Sequence, residues 1–114
     1  MDFRYTTQRF LQNGWCTDMN VEIENGIPMI DYDEATIKQR HTIRCMVRNG
    51  ANWNTKTSVQ VAKWANIHNM NPVEVAGCYN YIATKFDMYL ISYNNAMKVR
   101  CFEDPFGNMT YEEE

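Results

Sequence analysis

The stretch A35-T-I-K-Q-R-H-T-I-R-C-M-V-R48 decides how this chain is read. Its odd positions are Ala35, Ile37, Gln39, His41, Ile43, Cys45 and Val47, and its even positions are Thr36, Lys38, Arg40, Thr42, Arg44, Met46 and Arg48. Stepped at 180° per residue, most apolar side chains separate from the cationic ones; stepped at 100° the apolar ones scatter. The alternation predicts a β-strand over 41–48, with a helix starting at Asp33 as the alternative for 34–40. On the strand reading Lys38, Arg40, Arg44 and Arg48 form one cationic ridge. Alternate strand residues lie about 7 Å apart, close to the phosphate spacing along a nucleic-acid strand. The same ridge suits an acidic protein surface, and it is also how a charged face keeps an edge strand soluble.

Upstream, V21-E-I-E-N-G-I-P-M-I-D31 places Asn25-Gly26 between two apolar runs. Both positions of a two-residue turn need positive φ, which predicts a hairpin over 20–31. Pro28 cannot donate to a ladder and so belongs at a sheet edge or bulge. Downstream, Thr57-x-x-Gln60 reads as a capping box, followed by Val61, Trp64, Ala65 and His68 at helical spacing and Asn69 as a left-handed stop. Asn71-Pro72-Val73-Glu74 then restarts a helix whose apolar face is Val75, Tyr79, Ile82, Ala83 and Phe86. These signals predict helices at 57–69 and 72–86. A second hairpin is expected over 88–102 about Asn94-Asn95, with Met97, Val99 and Cys101 inward and Lys98 and Arg100 outward. One long helix over 72–95 competes with it. Residues 3–13 read as a short helix ended by Gly14, and E103-D-P-F-G-N-M-T-Y-E-E-E114 as a turn and an acidic end. The sum is one α+β domain, 1–114: a small antiparallel sheet (hairpin 20–31, strand 41–48, hairpin 88–102) packed with a helical hairpin.

Composition sets the outer limits. With 114 residues, 45% of them hydrophobic, the chain supports one core. No apolar run reaches membrane-spanning length, and the first residues lack a signal-peptide core. Cys16, Cys45, Cys78 and Cys101 form no CxxC pair, so reduced thiols and a cytoplasmic setting are expected. The net charge of −3 conceals segregation. Residues 1–34 carry Arg4 and Arg9 against seven acids, residues 35–100 carry nine bases against Glu74 and Asp87, and residues 101–114 carry five acids and no base. Either the acidic ends fold back on the basic middle, or the middle meets an acidic partner.

The residues offer little for catalysis. Cys45 and His41 share a face and invite a thiolate–imidazole reading, but no oxyanion donor or helix N-terminus accompanies them. Asp31, Asp33, Glu34 and Lys38 faintly suggest a metal-dependent nuclease, yet acids at such a boundary commonly act as caps. His41, His68 and the scattered cysteines lack a ligand pair at short zinc spacing. The expectation is therefore no enzyme, no metal and no cofactor.

V61-A-K-W-A-N-I-H68 resembles the opening of the helix-turn-helix of bacterial repressors, with Asn66 as its left-handed residue. The order strand, two helices, hairpin is similar to a winged helix. That resemblance implies that the second helix reads the major groove with Val73, Glu74, Gly77, Cys78, Tyr81, Lys85 and nearby Asn80, a face with one cation. The short Asn-, Tyr- and Met-rich chain with charge blocks also resembles small phage or mobile-element proteins that modulate host machinery. The leading expectation is a non-enzymatic regulator or inhibitor. It docks on a host macromolecule, an acidic protein or nucleoprotein, through Lys38, Arg40, Arg44, Arg48, Lys98 and Arg100, with Trp53 as a loop anchor. The alternatives are a winged-helix nucleic-acid regulator and a structural or virion-assembly subunit.

Overall fold

A computed structural model describes residues 4–5, 20–49 and 56–113. In chain order the elements are β1 (Arg4–Tyr5), β2 (Val21–Glu24), β3 (Ile27–Ile30), a 3₁₀ turn (Tyr32–Glu34), α1 (Ile37–Asn49), α2 (Thr57–His68), α3 (Pro72–Lys85), α4 (Tyr93–Met97), β4 (Val99–Glu103) and β5 (Met109–Glu113). The α+β class read from the sequence holds. Two antiparallel sheets are present, β2–β3 alone and β1–β4–β5 with β4 central.

Local chemistry dictates several elements. Asn25 and Gly26 take φ of 53° and 76° and close the β2–β3 hairpin, with Glu24 opposite Ile27 and Val21 opposite Ile30. Asn69 ends α2 at φ 53°, ψ 51°. The Asn71 side chain accepts from the Val73 amide at 2.9 Å, and Pro72 opens α3.

The core is organised around α3, in which ten of fourteen residues are buried. Its small residues admit close neighbours: a Cβ on Gly77 would stand 3.1 Å from Ile30 Cγ1 and 3.2 Å from Val21 Cγ1, so β2 and β3 lie directly across it. Three residues further along α3, Asn80 is fully buried and ties β3 to the segment before α4. Its Nδ2 donates to the carbonyls of Pro28 (2.7 Å) and Ile91 (2.9 Å), and its Oδ1 accepts from the Ile91 amide (2.8 Å).

The stretch 41–48 is helical, correcting the strand expectation. The residues turned inward are Gln39, Thr42, Ile43 and Met46, the i, i+3, i+4, i+7 series of an amphipathic helix. Two of these four are polar, which hides the period from a hydropathy reading. Gln39 can be buried because its Nε2 donates to Glu74 Oε2 of α3 at 2.9 Å. The helix also has a reciprocal cap: the Gln39 amide donates to Thr36 Oγ1 (3.1 Å) and the Thr36 amide to Gln39 Oε1 (2.9 Å). The capping box is thus Thr36–Gln39. At α2 the N-cap is Lys56, without a side-chain cap bond, and Thr57 is already helical.

The hairpin expected over 88–102 is also corrected. Ser92 caps α4 by accepting from the Asn95 amide at 3.1 Å, so Asn94-Asn95 is helical. Residues 88–92 stay outside any strand, with Ile91 held by Asn80. Strand β4 pairs instead with β5 of the acidic tail, Val99 opposite Glu113 and Glu103 opposite Met109. Asp104 makes that turn, its Oδ1 accepting from the amides of Phe106 and Asn108 at 2.8 Å each. Val99 and Cys101 point inward and Arg100 outward, as the alternation predicts, while Met97 is exposed. Of the N-terminal helix expected over 3–13, Arg4–Tyr5 is instead a strand paired with Glu103 and Phe102; the remainder lies outside the described residues.

Glu113 fastens β5 to α2. Its carboxylate accepts from the Ser58 hydroxyl and pairs with Lys98 (3.4 Å) and Lys56 (3.8 Å). The Ser58 bond foremost, then the lysines, hold its carboxyl below the ordinary glutamate value. A carboxyl whose folded value is depressed stabilises the fold above its unfolded value and loses that contribution as pH falls through the folded one. Thermal melts followed by circular dichroism should therefore show the midpoint falling as pH drops below the ordinary carboxylate range. Glu113→Gln should shrink that dependence; an unchanged pH profile in the variant would remove this role.

Candidate functional site

A step of four residues is two strand repeats and slightly more than one helical turn, so Arg40, Arg44 and Arg48 remain neighbours when 41–48 coils into α1. They follow one another at about 6 Å along the axis. Lys38 falls on the opposite flank, where its Nζ donates to the Asn69 carbonyl at 3.3 Å and helps to end α2. Arg44 and Arg48 are exposed, and among the described residues neither meets a carboxylate. Ile37, 89% exposed, Val47, 51% exposed, and His41 share their outward arc.

Arg40 has a different task. Its Nε donates to the Tyr32 carbonyl (3.1 Å) and its Nη2 to the Asp33 carbonyl (2.8 Å), which ties the 3₁₀ turn to α1. Its guanidinium lies 5.2 Å from the Tyr32 ring centre. Tyr32 in turn stacks on Tyr81 at 5.2 Å and 17°, and Lys85 Nζ lies 5.4 Å from the Tyr81 ring. This cation–ring–ring–cation ladder joins α1 to the C-terminal end of α3, each cation–π contact contributing about 0.5–1 kcal/mol at an exposed site.

The other candidates do not join this face. Lys98 pairs with Glu113, and Arg100 stands across the ladder from Glu112. The acidic end therefore folds back on Lys98 and Arg100, while among the described residues Arg44 and Arg48 of α1 meet no carboxylate. Trp53 lies outside the described residues. Of the face expected to enter a DNA groove, Val73, Glu74, Gly77, Cys78 and Asn80 are buried, leaving Tyr81 and Lys85.

One surface went unnoticed in the sequence. Phe86, Tyr89, Leu90, Tyr93 and Met97 are all exposed, Tyr89 at 94%. Their only signal is a density of large apolar residues with no clean period. A groove of about 310 Å³ beside Tyr89 and Leu90 is walled by Lys56, Ser58, Lys98 and Glu113, where Glu113 already meets both lysines and the Ser58 hydroxyl.

The thiols differ sharply. Burial foremost, and then the Glu74 charge, push the Cys78 thiol far up, so it stays protonated and inert. Cys45 is half-buried, with Sγ 3.4 Å from His41 Nε2. On a strand those two positions would stand about 13 Å apart; only the helix makes them a pair. Burial foremost, then His41 and Lys38, hold the His68 imidazole below its ordinary value. Among the described residues no helix is long and apolar enough to cross a membrane.

Compared with known proteins, the chain matches no family model, no curated protein and no solved structure.

Proposed function

We propose that this chain is a non-enzymatic binding module that docks on an acidic protein surface through the outer face of α1. The observation that carries the reading is the unequal fate of its cations. Lys56, Lys98 and Arg100 face the chain's own acids, whereas Arg44 and Arg48 stand exposed one turn apart with no carboxylate among the described residues. Guanidinium forks spaced this way suit pairs of partner carboxylates, and Ile37 and Val47 beside them supply apolar contact. In this reading the protein acts in a reducing cytoplasm as a regulator or inhibitor of the kind found among phage and mobile elements. Base-specific DNA recognition fits less well, because burial leaves only Tyr81 and Lys85 of the α3 face expected to enter a groove.

Affinity capture from the native host, with nuclease in one arm and a salt series in the other, tests the reading. Retention of an acidic protein that survives nuclease is expected. Its release is expected as the Debye length shortens from about 10 Å at 0.1 M toward 3 Å at 1 M. Retention abolished by nuclease alone would overturn the protein reading in favour of a nucleic-acid partner.

A further inference from the structure

The β4–β5 hairpin carries unlike features at its two ends. At the closed end, residues 104–108 make a tight turn that presents Phe106 at 89% exposure. Five hydrogen bonds hold the turn. The Asp104 amide donates to the Asn108 carbonyl (2.9 Å), and the Gly107 amide donates to the Asp104 carbonyl (3.0 Å). The Asp104 carboxylate accepts from the amides of Phe106 and Asn108 and, at 3.1 Å, from Asn108 Nδ2. Pro105 fixes one more dihedral. An exposed aromatic ring on a turn ordered in this way loses little chain entropy on binding, which is what an interface anchor needs.

At the open end, Lys98 precedes β4 and Glu113 closes β5, and both line the groove of about 310 Å³ beside Tyr89 and Leu90. A cavity of about 150 Å³ already holds benzene, so the groove has room for a phenylalanine ring. Tyr89, Leu90 and Ile91 line one side of it. Lys56 and Lys98 share a single carboxylate there, Glu113, which leaves the rim with surplus positive charge. The closed end brings the opposite sign. Asp104 Oδ2 accepts one hydrogen bond among the described residues, and a carboxylate oxygen can accept two. The paired length of five residues separates the two ends by about 16 Å, so a chain does not seat Phe106 in its own groove.

We propose that Phe106 of one copy of this chain seats in the Tyr89–Leu90 groove of a second copy, with Asp104 meeting the lysines at its rim. Knob and hole lie on different parts of the chain, so the contact is heterologous and each copy can give and receive at once. None of these residues belongs to α1, and the contact is independent of whether α1 docks on a partner.

Analytical ultracentrifugation of the full-length, reduced protein over a concentration series tests this. The weight-average mass should rise with concentration. Phe106→Ala and Leu90→Glu should each weaken self-association about thirtyfold or more, the first by removing the knob and the second by setting a like charge against Asp104 in the hole. Both positions are exposed, and circular dichroism checks the fold of each variant. An equimolar mixture of the two variants should regain association and stop at a dimer, because one supplies the only intact knob and the other the only intact hole. A wild-type chain that stays monomeric throughout, Phe106→Ala associating as tightly as the wild type, or a mixture no heavier than its separate components would each overturn the proposal.

Discussion

Asn80→Ala is expected to cost about 3–5 kcal/mol of folding stability, a large share of the roughly 5–15 kcal/mol available to a domain of this size. The side chain is 0% exposed and makes three hydrogen bonds, to Pro28 on β3 and twice to Ile91 in the segment before α4. Alanine removes the amide but leaves the Pro28 carbonyl and both polar groups of Ile91 in an apolar surround. Each orphaned group costs about 1–3 kcal/mol, and the costs overlap because all three belong to one network. The hairpin and residues 88–92 should loosen together, since one side chain holds both. Chemical denaturation with matched thermal melts measures the loss. Asn80→Asp should also destabilise, because a carboxylate has no N–H for the Pro28 carbonyl. A penalty below about 1 kcal/mol for Asn80→Ala would show that the amide is not the clamp described.

Arg44→Glu combined with Arg48→Glu should cost no more than about 1–2 kcal/mol of stability, chiefly from placing a carboxylate in the last turn of α1, and lower partner affinity at least about a hundredfold. The two halves of that expectation rest on different observations. Both side chains are exposed and meet no acid among the described residues, and Glu matches Arg closely in helix propensity, so the fold loses little. At an interface, reversing two adjacent charges replaces attraction by like-charge contact, which costs several kcal/mol. Arg40 belongs to the fold through Tyr32 and Asp33, and its replacement would confound binding with stability. Titration calorimetry with the captured partner, beside denaturation of the unbound variant, separates the two effects.

The sequence was readable where a residue's neighbours settle its conformation. Asn25-Gly26, Asn69 and Asn71-Pro72 each act within a few residues, and each stands where local chemistry puts it. It was unreadable where burial depends on a distant partner. Gln39 turns inward because Glu74, 35 residues on, accepts its amide, and without that bond Gln39 and Thr42 look like surface residues. The pattern of 35–48 then reads as an alternation, although Thr36 and Gln39 stand at capping-box spacing. The same distance effect governs 88–102. Its aromatic and β-branched density suggested strands, but residues 88–92 are held by Asn80 and β4 takes its partner from the acidic tail. Arg40, Arg44 and Arg48 stay neighbours because a spacing of four satisfies both the strand and the helix period, but Lys38 leaves the row and Arg40 is committed to the Tyr32 and Asp33 carbonyls. Lys98 and Arg100 could not be separated from it without knowing that Glu112 and Glu113 return to meet them.

The most direct test of the α1 docking face is backbone amide shift mapping of the isotopically labelled protein on addition of the captured acidic partner. The largest changes and line broadening are expected at Ile37, His41, Arg44, Val47 and Arg48, along one side of α1. Changes confined to the exposed apolar run from Phe86 to Met97, with α1 unmoved, would contradict it.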